Sequence, residues 1–411
     1  MNLPSCQTIH ELSGLHRAFL KVRTSFVRSR SKRHEIRNRF RAVRYRYVQH
    51  PDAPFAFVSY IGSVFSPKAD PATFIYHTNL WEARCIGEVL LELGYNVDFG
   101  DYLDEAFTPE RPYDLAFDNT GHLGAWADKL GPDCVKVAYV TTAYPPVSNA
   151  AEQERVKALE ARRPGACYLP RRQMKETLWD ASLRCADRVL LIDDGWSRST
   201  FPQDYLKQAD SVLPTFGEPC SSPEKTPDAA QHFFWMGGGG CVHKGLDWLL
   251  EIVAKHPEWH LHMAGAVRRE TDFCRIYEKE LALPNVHMHG YISPESAEFA
   301  EICRRCAFFV CPSGSEGVCV AALTAIAAGL YPILSYQTGV SLPEGVGCTL
   351  PRELTLPALE QAMAECAAAD ASERAAQCGT LQEWVRARAS REAFREHMRA
   401  FFKGIKEGRK S

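Results

Sequence analysis

The sequence predicts an α/β protein built from two doubly wound parallel sheets that face a central cleft. Three observations carry that prediction. Short apolar runs alternate with segments of helical period, the β-α-β order of parallel sheets covered on both faces. The alternation breaks once, over residues 214–231, a stretch rich in Pro, Ser and Glu without periodicity, and then restarts. A chain of 411 residues is also too long for one ordinary domain and suits two.

In chain order, residues 55–60 (FAFVSY) read as a buried parallel strand ending in Ile61-Gly62-Ser63. Residues 81–93 carry apolar side chains at helical spacing, and Gly94 stops them. Strands are expected at 95–99, 115–117, 135–140 and 188–192, with a helix at 178–185. After the break, strands are expected at 233–236, 260–264, 286–289, 308–311 and 331–335. Helices fill 246–254, 297–307 and 318–328, and an amphipathic helical tail runs over 372–406. The organisation read from this is a basic extension 1–50, a first domain 51–213, a linker 214–231 and a second domain 232–385. A C-terminal helix, 386–411, is placed to cross back to the first domain.

Hydrophobic residues at 45% and charged residues at 24% are the balance of a soluble globular protein. No run of 18 apolar residues supports a spanning helix. The N-terminus lacks the charged start and apolar core of a secretory signal. Fifteen scattered cysteines then read as reduced thiols of a cytoplasmic protein. Cys303 and Cys306 form a lone CxxC, which by itself is a structural pair before it is a metal or redox site. Charge is distributed unevenly: residues 1–50 hold twelve Lys/Arg against Glu11 and Glu35, a net +10, so the rest carries −12 within a total of −2. Between residues 17 and 46 the basic side chains alternate with Phe, Val, Ile and Tyr, a pattern suited to an anionic membrane surface. A solvated leader is the plain alternative; nucleic acid is disfavoured because no recognition motif follows.

Chemistry concentrates in two loops. In Trp235-Met-Gly-Gly-Gly-Gly-Cys-Val-His-Lys244-Gly-Leu, a strand runs into Gly237, Gly238, Gly239 and Gly240, and a helix opens after Lys244. Without β-carbons the backbone can approach an anion, the helix start adds partial positive charge, and Lys244 adds a full one. It is not a Walker A loop, because Lys244 is followed by Gly245 and not by Ser or Thr. The second loop, Cys311-Pro-Ser313-Gly-Ser315-Glu316-Gly317, precedes another helix and so offers a second anion site. Glu316 there can accept hydrogen bonds from sugar hydroxyls, although a carboxylate at a helix start is also ordinary capping.

These residues resemble a known family. The order GGGGCVHKGLDWLL, LHMAG, NVHMHGYI, CPSGSEG and AIAAGLYPILSYQTG, over about residues 233–340, is similar to family-4 type glycosyltransferases, the group 1 glycosyl transferases of bacterial surface-polysaccharide assembly. The first half matches only in architecture and in the phrase His77-Thr-Asn-Leu-Trp-Glu82. The resemblance implies a GT-B fold of two Rossmann-like domains, and metal-independent transfer from a nucleotide-diphosphate sugar with no bound cofactor. Retention at the anomeric carbon is the usual outcome. Lys244 then matches the lysine on the donor diphosphate, Glu316 the glutamate on the donor sugar, and Gly290, Tyr291 and Ile292 the segment that holds the base. The sequence departs from the family twice. Thr324 stands where a second glutamate is expected, as a hydroxyl for the ribose, and Gly239 stands where an arginine would meet the diphosphate.

On the acceptor side the candidates are His77, Asn79 and Glu82, Asn119 and His122, and Thr141. His122 is the histidine expected after the fourth strand, over the reacting carbon. The arginine pairs 171–172 and 268–269 offer charge to an anionic acceptor, but read first as solvated faces. The acceptor expected is a glycan or lipid-linked intermediate, met at the inner face of the plasma membrane. Two alternatives stay open: a GT-B protein that binds a sugar nucleotide or a partner without turnover, and a GT-B epimerase or phosphorylase.

Overall fold

Parallel strands buried on both faces need helices above and below, and the repeated β-α-β segments supply them. The computed structural model describes residues 6–8, 45–66, 69, 77–102, 108–109, 111–219 and 223–408. The first sheet contains β1 (Cys6–Thr8), β2 (Tyr45–Tyr47), β3 (Phe55–Tyr60), β4 (Asn96–Asp101), β5 (Leu115–Asp118), β6 (Val135–Val140), β7 (Arg188–Ile192) and β8 (Ala209–Val212), ordered β1-β2-β4-β3-β5-β6-β7-β8. From β4 to β8 every pairing is parallel, and β1 and β2 are antiparallel additions at one edge.

The basic segment 17–46 lies outside the described residues except for Tyr45 and Arg46. Both belong to β2, where Arg46 donates through Nε and Nη2 to the two Asp98 carboxylate oxygens, each at 2.7 Å. The sheet therefore begins before residue 51. A strand of three residues is too short to show a period.

The second sheet contains β9 (His232–Gly237), β10 (His260–Gly265), β11 (Val286–Gly290), β12 (Phe308–Cys311), β13 (Tyr331–Leu334) and β14 (Cys348–Thr349), ordered β11-β10-β9-β12-β13-β14. All its pairings are parallel. Strand order reverses direction between β9 and β12, so a crevice opens outside their carboxyl ends, the usual ligand position in such sheets. In the first sheet the reversal lies between β3 and β5.

On one face of β9, β10 and β11 five histidines stack. His232 Nδ1 meets His262 Nε2 at 3.0 Å, and His262 Nδ1 meets His289 Nε2 at 3.1 Å. Burial and neighbouring imidazoles push the His262 pKa down to about 2, so that ring is uncharged at neutral pH, and burial lowers His232, His287 and His289 as well. Among the described residues no group of three or more His, Cys, Asp or Glu is arranged to hold a metal ion, and the described cysteines are free thiols. No helix among them is long and apolar enough to cross a membrane.

The helices that matter for the site are α1 (Thr78–Glu92), α2 (Leu123–Leu130), α3 (Pro145–Arg162), α4 (Glu176–Cys185), α5 (Leu246–Val253), α6 (Ala297–Arg305), α7 (Val320–Ala327), α8 (Leu356–Ala368), α9 (Ala371–Ala389) and α10 (Arg391–Gly408). Helix α10 returns to the first domain, with Phe394 against Trp81 and Phe402 against Phe117 at ring separations of 6.2 and 5.5 Å. Arg395 completes the contact, pairing with Glu88 and Glu92 of α1.

Asp194 also joins the domains through Ser341 and Arg388, and two further links bear on the site. The linker is pinned at Thr215, whose N–H and hydroxyl donate to Glu82 Oε1 at 2.6 and 2.9 Å. The other link is α3, together with a strap over residues 163–175. Val156, Leu159 and Tyr168 lie in the hydrophobic core of the second domain. Arg162 pairs with Asp247 and Glu251, and Arg163 with Glu251 and Glu280.

Glu82 is fully buried, and burial lifts its pKa to about 7 against the two hydrogen bonds from Thr215. A carboxyl whose folded pKa exceeds the ordinary 4.5 supports the fold fully below pH 4.5, and that support is lost as pH rises through 7. Glu82→Gln keeps an acceptor for Thr215 and removes the charge. Its melting temperature should change less than wild type between pH 5 and pH 8, and equal slopes would show that Glu82 does not titrate in this range.

Candidate functional site

The loops after β9 and β12 meet across the crevice. Lys244 and Glu316 are both buried and form an ion pair through Nζ and Oε1. Ser313 Oγ also donates to that oxygen, at 3.0 Å. Burial opposes both charges, but each offsets the cost for the other. Despite desolvation, Lys244 and then Arg172 hold the Glu316 pKa down at about 2, and Glu316 keeps Lys244 above the ordinary lysine range. His243, next to Lys244, is pushed by burial to about 4 and stays neutral. Its Nε2 lies 2.7 Å from the Ser315 carbonyl, while its Nδ1 and the Ser315 hydroxyl are buried without a partner among the described residues.

The backbone amides are less free than the glycine run suggests. Glu270 accepts the N–H of Gly240 at 2.6 Å and that of Cys241 at 3.1 Å, and its other contact is the Tyr168 hydroxyl at 2.7 Å. In the second loop the N–H groups of Gly314 and Glu316 are taken by the His243 and Gln337 carbonyls. Helix α7 starts at Val320, two residues later than its apolar pattern suggests. Gly238 remains open, with nothing within 4 Å of where its β-carbon would be.

The first domain reaches into the same place. A β-carbon at Gly317 would lie 2.6 Å from the Thr141 carbonyl oxygen and 3.1 Å from that of Ile192, so backbone meets backbone at the ends of β6 and β7. Arg155 of α3 donates to the Pro312 carbonyl at 2.5 Å and lies over the Trp248 ring at 3.8 Å. Arg172, in the strap, reaches Glu316 Oε2 at 3.5 Å.

A family model for group 1 glycosyl transferases matches residues 230–368, the segment that carries both loops. Residues 230–368 therefore resemble a group 1 glycosyl transferase domain. A GDP-mannose:cellobiosyl-diphosphopolyprenol alpha-mannosyltransferase of Xanthomonas campestris is 33% identical over 104 residues, 24% of this chain and 27% of that relative. The match thus spans about a quarter of the relative's length. Sucrose-phosphate synthase from Thermosynechococcus elongatus superposes with a TM-score of 0.60 at 16% identity, covering 87% of this chain and all of that one. Anabaena Alr3699/HepE, solved with UDP-glucose, gives 0.55 at 12% identity over 85% of this chain and all of the other. At these identities the likeness is one of fold, and the fold is GT-B.

Thr324 faces the linker: its hydroxyl accepts the Gly217 N–H at 3.0 Å and donates to the Val320 carbonyl at 2.9 Å. Restoring the family residue with Thr324→Glu would bury a carboxylate against the linker. That variant should melt several degrees lower without binding nucleotide more tightly; a stable, tighter-binding protein would contradict this packing.

The remaining candidates separate by position. Gly290 ends β11 and Tyr291 and Ile292 follow it, at the carboxyl edge of the same sheet as the Lys244 loop, with Gly290 at φ +79°, Tyr291 71% exposed and Ile292 buried. In the first domain Thr120 Oγ1 donates to Asp118 Oδ1 at 2.5 Å and lies 2.6 Å from His122 Nδ1. With that hydroxyl donating to Asp118, the arrangement suits an Nδ1–H on His122 that donates to Thr120 Oγ1. His77 is exposed at the start of α1, and Asn79 Oδ1 is buried without a partner among the described residues. Glu82 accepts from Thr215, and Asn119 donates to the Tyr139 carbonyl at 2.9 Å. Thr141 contributes its carbonyl to the Gly317 contact. Arg155 and Glu270 were not legible as site residues, and Arg172 only as half of a basic pair, because only the paths of α3 and the strap bring the two arginines across and Glu270 lies 30 residues from its amide.

Proposed function

We propose that the protein moves a sugar from a nucleoside-diphosphate sugar to a membrane-linked glycan intermediate, with the donor in the β9–β12 crevice. The observation that carries this reading is the buried Lys244–Glu316 pair at the reversal point of a group 1 glycosyl transferase domain. Lys244 neutralises charge as it grows on the departing diphosphate, and in a water-poor crevice that stabilisation is large. Glu316 gives up part of its contact with Lys244 and Ser313 to accept donor-sugar hydroxyls. His122 Nε2 accepts a further hydroxyl from the opposite wall.

The Xanthomonas campestris relative's name supports GDP-mannose as the first donor to test and a polyprenyl-diphosphate-linked glycan as the acceptor. The basic segment 17–46 supports an acceptor met at the inner face of the plasma membrane. Retention at the anomeric carbon is proposed on the family resemblance. The test is release of free nucleoside diphosphate from a panel of nucleotide sugars, with and without a polyprenyl-linked acceptor. Acceptor-dependent release, and an α-linked product from an α-linked donor, are expected. Donor binding without any acceptor-dependent release would instead support the non-catalytic binding protein.

A further inference from the structure

We propose that Arg172, carried by the first domain, is the second cation on the donor diphosphate and contacts its sugar-bearing phosphate. The inference rests on the nucleoside-diphosphate reading above. Four observations support it.

The strap is fixed where it enters the site. Glu152 of α3, fully buried, accepts the backbone N–H groups of Arg171 at 2.7 Å and Arg172 at 2.9 Å, and Gln173 Nε2 at 2.9 Å. A buried carboxylate spent on holding two successive amides sets the direction of the next side chain. That side chain runs across the glycine loop, since a β-carbon at Gly240 would lie 2.9 Å from Arg172 Cγ and 3.3 Å from Cδ. The last glycine of the run is thus what lets the arginine pass.

The contact Arg172 makes now is a loose one. Its Nη2 stands 3.5 Å from Glu316 Oε2, while Lys244 and Ser313 hold the other oxygen, and the Arg172 side chain keeps 35% of its surface exposed. Two cations therefore share one carboxylate. The other carboxylate at the loop, Glu270, is spent on the Gly240 and Cys241 amides and the Tyr168 hydroxyl. An anion arriving here finds a guanidinium able to swing by a small amount and present two N–H donors to phosphate oxygens.

Finally, Gly239 stands where the family resemblance puts an arginine. It has no side chain, and a β-carbon there would point within 3.7 Å of Glu270 Oε1. The charge comes from across the domain boundary instead. Because Arg172 neighbours the sugar-binding Glu316, its phosphate is the one bonded to the sugar. Donor binding then ties the two domains together, and nucleotide release requires the strap to let go.

The test is calorimetric titration of the full chain with GDP, UDP and ADP and with the matching monophosphates. For the nucleotide that wild type prefers, Arg172→Ala should weaken the diphosphate by roughly 10- to 100-fold, the effect of one charge-assisted contact, and the monophosphate by less than about 3-fold. Arg172→Lys should fall between. Arg171→Ala, in the same strap but paired with Asp272, should leave both affinities unchanged. If the alanine variant does not fold, Arg172→Lys and Arg172→Gln carry the same comparison. Equal losses for mono- and diphosphate, or an unchanged diphosphate affinity, overturn the Arg172 proposal alone. Wild-type protein that binds none of these nucleotides overturns the donor reading and this proposal together.

Discussion

Lys244→Ala should lower kcat/KM by roughly 10²- to 10³-fold, the usual effect of removing one preorganised group that meets developing negative charge. It should also lower stability, for a separate reason. Lys244 and Glu316 are buried together, and deleting one partner strands the other's charge at a cost of about 3–5 kcal/mol. The two effects can be separated by a second substitution. In Lys244→Ala with Glu316→Gln the stranded charge is gone, so most of the stability should return while turnover does not. A double variant that recovers activity would remove Lys244 from the diphosphate.

The same pair makes a prediction about acid. The Glu316 pKa is depressed to about 2 from an ordinary 4.5, so its contribution is present above pH 4.5 and is lost as pH falls towards 2. A shift of that size corresponds to about 3 kcal/mol at neutral pH. Denaturant midpoints at pH 7 and pH 3 should therefore fall less with acid in Lys244→Ala than in wild type.

Gly317→Ala should leave both domains folded yet reduce kcat by about 100-fold. Gly317 does not have a positive φ, so alanine is conformationally acceptable there. What alanine meets is the backbone of the other domain, with the Thr141 carbonyl oxygen at 2.6 Å and its carbon at 2.9 Å. Neither can rotate away as a side chain would, so the domains must stand further apart over the site. Misplacement of reacting groups by about 1 Å is enough for a loss of that order. The signature is a fall in kcat with nucleotide-diphosphate affinity nearly retained. Unchanged kcat would mean that the Gly317–Thr141 contact is not kept during turnover.

Both loops could be read from the sequence because each concentrates its signal in a few adjacent residues: glycines after an apolar strand, then a charge at a helix start. Strands such as Phe55–Tyr60, Val135–Val140, Arg188–Ile192 and Phe308–Cys311 were legible to the residue, since buried parallel strands are uninterrupted apolar runs. Helix α3 was not, because its faces are divided between two domains and its buried residues, which include Pro145, Ser148, Asn149 and Glu152, show no simple apolar stripe. The strap was not legible either. Arg171 and Arg172 look like any exposed basic pair until the chain's path places them on Asp272 and Glu316. Glu82 and Thr324 are the converse case: polar residues beside a motif that turned out to hold the linker, a role no local spacing encodes.

The return of α10 to the first domain has a consequence for how the chain acquires its shape. Phe402 packs on Phe117, and Arg395 bonds Glu88 across 307 positions of sequence. Contacts of such separation form late, because the loop they close must first be ordered. During synthesis the first domain emerges long before its last helix, so it waits on the ribosome with the surface for α10 uncovered. Folding of the N-terminal half is thereby coupled to completion of the C-terminal one.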